Sequence, residues 1–117
     1  MIPGTYDIQI YQGDTFRVFF RLRDEGGTYI DLTGQIAKAQ IRSNTDAPTV
    51  LAEFSTSIPD QSVLANRGSV LLTLTSAQTS ALTTGGVWDV QLQVTATGEV
   101  NTYLRGTVTV VKEVTRV

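Results

Sequence analysis

The sequence contains no cysteine and no histidine in its 117 residues. The first absence excludes disulfide staples and thiol redox chemistry. The second removes the commonest general base, the commonest zinc ligand and the side chain that switches near neutral pH. Lysine is nearly missing, with only Lys38 and Lys112, and the 9 basic residues are outweighed by 11 acidic ones for a net charge of −2. A weakly acidic chain lacks the cationic face that neutralises phosphates, so nucleic acid is not an expected partner. No apolar run approaches the roughly 20 residues of a membrane span. The opening Met1-Ile2-Pro3-Gly4-Thr5 has neither the basic segment nor the apolar stretch of a secretory signal. Folding in the cytoplasm of the producing cell, with no membrane contact, is the expectation.

What is present points to strands. Threonine occurs 18 times, and β-branched residues suit a pleated, half-buried surface. Apolar and polar residues alternate along most of the chain, with turn residues between. Phe16, Val18, Phe20 and Leu22 share one face of a strand whose other face carries Arg17, Phe19, Arg21 and Arg23. Ala37, Ala39 and Ile41 alternate with Lys38, Gln40 and Arg42; Trp88, Val90 and Leu92 alternate with Asp89, Gln91 and Gln93. Short strands are also predicted at Tyr29–Leu32 and around Val50–Phe54, and the stretch 55–68 reads as irregular. Ser76–Leu82 reads as a helical turn with Ser76 as N-cap and Gly85-Gly86 as the stop. Residues 1–117 form one expected domain: an all-β, antiparallel sandwich of seven to eight strands, immunoglobulin-like or jelly-roll-like, with one short helical turn. Its core should contain Phe16, Val18, Phe20, Ile41, Phe54, Leu72, Trp88, Val90, Leu92 and Val108.

Candidate chemistry is sparse. Asp24-Glu25-Gly26-Gly27 lacks the alternating acidic spacing of a calcium loop and reads as a solvated turn. Asp31 and Asp89 are carboxylates with nothing in the sequence to bring them together. Serine and threonine are plentiful, but no histidine or evident lysine base accompanies them. The glycine pairs do not open a helix after a strand, so phosphate cradling has no support. Neither enzymatic activity, nor a cofactor, metal or small-molecule substrate, is expected. Arg17, Arg21 and Arg23 around Phe19 combine residue types enriched at protein interfaces. They equally suit a sheet face on which arginine stems cover an aromatic ring.

Several segments, in order, resemble a widespread set of small tailed-bacteriophage virion proteins, tail- or baseplate-associated β-sandwiches. They are Gln12-Gly13-Asp14-Thr15-Phe16, Ile30-Asp31-Leu32-Thr33-Gly34 and Ala39-Gln40-Ile41-Arg42, then Leu74-Thr75 with Gln78-Thr79 and Leu82, then Trp88-Asp89-Val90, Gly106-Thr107-Val108-Thr109-Val110 and Glu113-Val114-Thr115-Arg116. The Trp88 position looks more often tyrosine in that family. The resemblance implies a non-enzymatic structural subunit in the tail, baseplate or neck of a virion. Its implied partners are other virion proteins and further copies of itself. The alternatives are a capsid decoration protein, or a carbohydrate-binding or adhesin-type sandwich with Tyr11, Phe19, Tyr29 or Tyr103 as the exposed rings.

The chain ends supply further interface candidates. Thr107–Val117 is long, β-branched and lightly charged, so as a free edge it would invite pairing. The succession Val110-Val111 predicts a bulge. Ile2 precedes a proline that cannot extend a ladder. Ile2, Val114 and Val117 therefore join Arg17, Phe19, Arg21 and Arg23 as expected contact residues.

Overall fold

A computed structural model describes residues 4–115. Among the described residues nine strands form: β1 (Gly4–Thr5), β2 (Ile8–Tyr11), β3 (Phe16–Arg21), β4 (Gln35–Arg42), β5 (Ala52–Glu53), β6 (Ser55–Ser57), β7 (Ser69–Leu74), β8 (Gly86–Val94) and β9 (Val100–Val111). A 3-10 turn at Leu64–Asn66 precedes β7, and a helix α1 (Ser76–Ser80) follows it. The larger sheet runs β1-β9-β8-β4-β5, with β2 also on β9; the smaller runs β3-β7-β6. Between them lies the core, centred on Ile10, Ile41, Val70, Leu72, Leu74, Val90 and Leu92.

The period-two pattern names the inward faces correctly, and Ile41, Phe54, Leu72, Trp88, Val90, Leu92 and Val108 are buried as expected. Phe16, Val18 and Phe20 face the core but are only half-buried. Their strand is an edge, so one flank of each side chain has no neighbouring strand to cover it. Phe54 occupies the step where the chain leaves β5 in one sheet and enters β6 in the other. Its ring lies 6.2 Å from Phe16 and 6.1 Å from Trp88, tying both sheets together.

Several expectations are corrected. The sandwich is not wholly antiparallel, because β1 and β2 both run parallel to β9. The last long strand is consequently not a free edge: β9 has β8 on one side and β1 with β2 on the other. The bulge is not at Val110-Val111, which stay in register with Ile10 and Tyr11. It is at Tyr103, since Val90 faces Leu104 while Gln91 faces Thr102. The strand predicted at Tyr29–Leu32 shrinks to one bridge between Tyr29 and Arg23. Ser76 is not the N-cap. Thr75 caps α1 in a reciprocal box with Gln78, while the Ser76 hydroxyl donates to the Gly13 carbonyl at 2.7 Å.

That last bond belongs to a clamp. Thr79 is fully buried; its hydroxyl donates to the Asp14 carbonyl at 2.8 Å and accepts from the Gly13 N–H at 3.1 Å. Gln12 Nε2 donates to the Leu82 carbonyl at 3.0 Å. The segments Gln12-Gly13-Asp14 and Gln78-Thr79, distant in sequence, thus hold each other and fix where β3 begins.

Candidate functional site

The outer face of the small sheet carries most of the residues expected at an interface. Along β3, Arg17, Phe19 and Arg21 point outward, opposite Thr73, Leu71 and Ser69 of β7. Ser57 of β6 extends the Phe19–Leu71 row. Phe19 is 60 % exposed, a large apolar ring in the middle of a strand face.

The arginines do not act as one stripe. Arg21 Nε donates to the Arg67 carbonyl at 3.1 Å, and its guanidinium lies 3.4 Å from the centre of the Tyr29 ring. Arg23 lies 4.5 Å from the same ring and hydrogen-bonds the Tyr29 hydroxyl. That bond, with the positive charge of Arg23 and Arg21, holds the Tyr29 phenol below its ordinary range. Both guanidinium groups are thereby committed to one aromatic ring by cation–π attraction. Arg17 and Phe19 remain as the open part of the face. Val114 is 96 % exposed but lies past the end of β9, after Glu113, whose N–H donates to Gln12 Oε1 at 3.4 Å. Ile2 and Val117 lie outside the described residues.

A second surface was not anticipated. The outer face of β4, β8 and β9 forms a concavity of 660 Å³ lined by Lys38, Gln40, Arg42, Asp89, Gln91 and Arg105, among others. Gln40 and Arg105 flank Asp89 in the strand register. Burial pushes the Asp89 carboxyl above its ordinary value, against the opposing pull of Arg105 and Arg42. Arg42 is anchored to the Ala47 carbonyl at 2.8 Å and to Gln40 Oε1 at 3.1 Å. In sequence these residues read as the polar half of an alternation, with Asp89 a carboxylate that had no partner. Their convergence depends on strand register, which brings β4 and β9 to either side of β8.

The remaining carboxylates have local work. Asp24 closes its own turn, with its backbone carbonyl accepting from Gly27 N–H at 3.0 Å and its side chain from Thr28 N–H at 3.0 Å. Asp31 accepts from the Thr33 hydroxyl at 2.6 Å and N–H at 3.0 Å, bonds that lower its pKa. It does not line the concavity that holds Asp89. Among the described residues, no group of three or more acidic side chains is placed to hold a metal ion. Trp88 is buried, and its indole N–H donates to the Tyr6 carbonyl at 2.8 Å.

This arrangement defines an all-β sandwich with two decorated outer faces. No protein-family model matches the chain, and no curated protein does. Among solved structures it is similar to the NK cell receptor Nkp44, at 13 % identity and a TM-score of 0.54, over 95 % of this chain and 100 % of that one. That likeness supports the all-β sandwich fold. It is also matched, at 13 % identity and a TM-score of 0.36, to a family 123 glycoside hydrolase from Clostridium perfringens. The match spans 94 % of this chain but 23 % of the hydrolase, and it is too loose to bear on fold or activity.

Proposed function

We propose that this chain is a non-enzymatic structural subunit of a bacteriophage virion, working by protein–protein assembly in the tail, baseplate or neck. The observation that carries the reading is the β3 face: Phe19 stands 60 % exposed beside Arg17 on an edge strand of the small sheet. An apolar ring with a flanking arginine, at the margin of a sheet, is the composition of a contact rather than of a solvated face. The resemblance to tail-associated sandwiches supplies the setting. Its segments at Gln12–Phe16, Gln78-Thr79 and Leu82 meet in the clamp that fixes the start of β3, so they serve the scaffold that presents the face. The partners are other virion proteins and further copies of this chain.

The test is quantitative mass spectrometry of purified particles from the producing phage. The protein should be present at a fixed ratio to the major tail protein. Its absence from particles, or a clear hit on a glycan array through the open rings of Tyr11 and Phe19, overturns the reading in favour of a carbohydrate-binding module.

A further inference from the structure

Only one backbone edge of β3 is paired within the described residues. The Leu22 N–H donates to the Gly68 carbonyl at 2.8 Å, continuing the register that sets Arg21 against Ser69. Bonded and non-bonded pairs alternate along an antiparallel ladder. Phe16, Val18 and Phe20 therefore exchange hydrogen bonds with Leu74, Leu72 and Val70. The N–H and C=O groups of Arg17, Phe19 and Arg21 point the other way, into the free edge. β3 ends at Arg21, and the Leu22 carbonyl, on the β7 side like its N–H, accepts from the Ile30 N–H at 3.0 Å.

We propose that β3 pairs antiparallel with β3 of a second copy, about a twofold axis passing through Val18. This rests on the assembly reading above and gives that reading its partner and register. Self-pairings centred on Arg17 or Arg21 set that arginine against its own copy, which is unfavourable, and leave three that bring outward backbone groups together. An axis at Phe19 sets Arg17 against Arg21 of the other copy, two like charges on one face, which is unfavourable. An axis at Phe20 sets Arg17 against Arg23 of the other copy, again two like charges on one face, and reaches past the end of β3 at Arg21. An axis at Val18 sets Arg17 against Phe19 twice, a cation–π pair on each side. On the inner face the same register sets Phe16 against Phe20 and Val18 against Val18. It covers the flanks of those three half-buried side chains and gives the exposed Phe19 ring a partner.

The absence of cysteine makes the register directly testable. Val18 falls at a non-bonded pair, where Cα atoms lie about 4.5 Å apart, within the roughly 4.4–6.8 Å span of a disulfide. Val18→Cys should give a covalent dimer on mild oxidation, whereas Phe19→Cys should stay monomeric under the same treatment. In sedimentation equilibrium, Phe19→Lys faces Arg17 of the second copy and should weaken the dimer about tenfold. The double change Arg17→Glu with Phe19→Lys should restore it. Unchanged melting temperatures establish that each variant folds. A wild-type monomer at the highest soluble concentration, preferential cross-linking of Phe19→Cys, or failure of the double variant to recover overturns the pairing. Stoichiometric incorporation into particles without Val18→Cys cross-linking overturns the twofold contact alone, while absence from particles overturns the assembly reading itself.

Discussion

Replacing Gln61 with leucine should destabilise the protein more than most single changes on its surface loops. Gln61 is 5 % exposed, and every polar atom of its side chain is used. Its Oε1 accepts from the Leu32 N–H at 3.1 Å and the Gly68 N–H at 3.0 Å; its Nε2 donates to the Pro59 carbonyl at 2.8 Å and the Asn66 carbonyl at 2.9 Å. Leucine keeps the volume and leaves four backbone groups without partners. The two carbonyls are partly open, so water can replace the amide there. The two N–H groups lie in buried surroundings, and each orphaned buried group costs about 1–3 kcal/mol. The expected loss is therefore about 2–6 kcal/mol, a large part of the roughly 5–15 kcal/mol that holds a domain folded. Urea unfolding followed by tryptophan fluorescence reads it directly, because Trp88 is the only tryptophan and sits in the core. The midpoint should fall with little change in slope. A loss below about 1 kcal/mol would mean that the loop relaxes to satisfy both N–H groups, and the keystone role of Gln61 would be refuted.

A Cβ at Gly106 would meet the Tyr6 carbonyl oxygen at 2.1 Å, so Gly106→Ala must push the β1–β2 connection off β9 and strain the Trp88–Tyr6 bond. We expect a loss of about 1–3 kcal/mol with a shifted tryptophan emission; an unshifted spectrum and full stability would contradict the close approach. Asp89 has its folded pKa raised by burial, so the folded state binds the proton more tightly and stability falls as pH rises through the carboxylate range. Asp89→Asn should accordingly raise the melting temperature at neutral pH, with the gain vanishing below the unfolded pKa; a gain independent of pH would refute the cause. Thr75→Ala removes one half of the capping box of α1 and should cost about 1 kcal/mol by thermal or chemical unfolding, while a neutral effect would show that the clamp on the β2–β3 turn holds the helix without its cap.

The faces of the strands were legible because alternation needs no tertiary information: a residue two positions along points the same way. What alternation cannot supply is the neighbour. Phe16, Val18 and Phe20 point inward as read, yet stay half-buried because β3 is an edge, and being an edge is a property of the sheet order. The last strand looked exposed for the same reason; its cover comes from β1 and β2, about a hundred residues earlier in the chain, in a parallel pairing that no local signal announces. The stripe of Arg17, Phe19, Arg21 and Arg23 was visible as a pattern. Tyr29, which engages two of the arginines, was read as part of a strand. Gln61 lay in a stretch that looked merely irregular, since a buried amide satisfied by four backbone groups has no signature in sequence. Asp89 stood out only as a carboxylate with no partner in the sequence, and the strand pairing places Arg105 and Arg42 around it.

The central claim is that β3 is the side by which this subunit is held in an assembly. Amide hydrogen exchange tests it most directly, comparing dilute free protein with assembled particles. The backbone N–H groups of Arg17, Phe19 and Arg21 should exchange quickly in the free chain and slow sharply on assembly, while those of Val18 and Phe20, already bonded to β7, change little. Fast exchange at Arg17, Phe19 and Arg21 in both states, with new protection confined to other surfaces, would contradict the account.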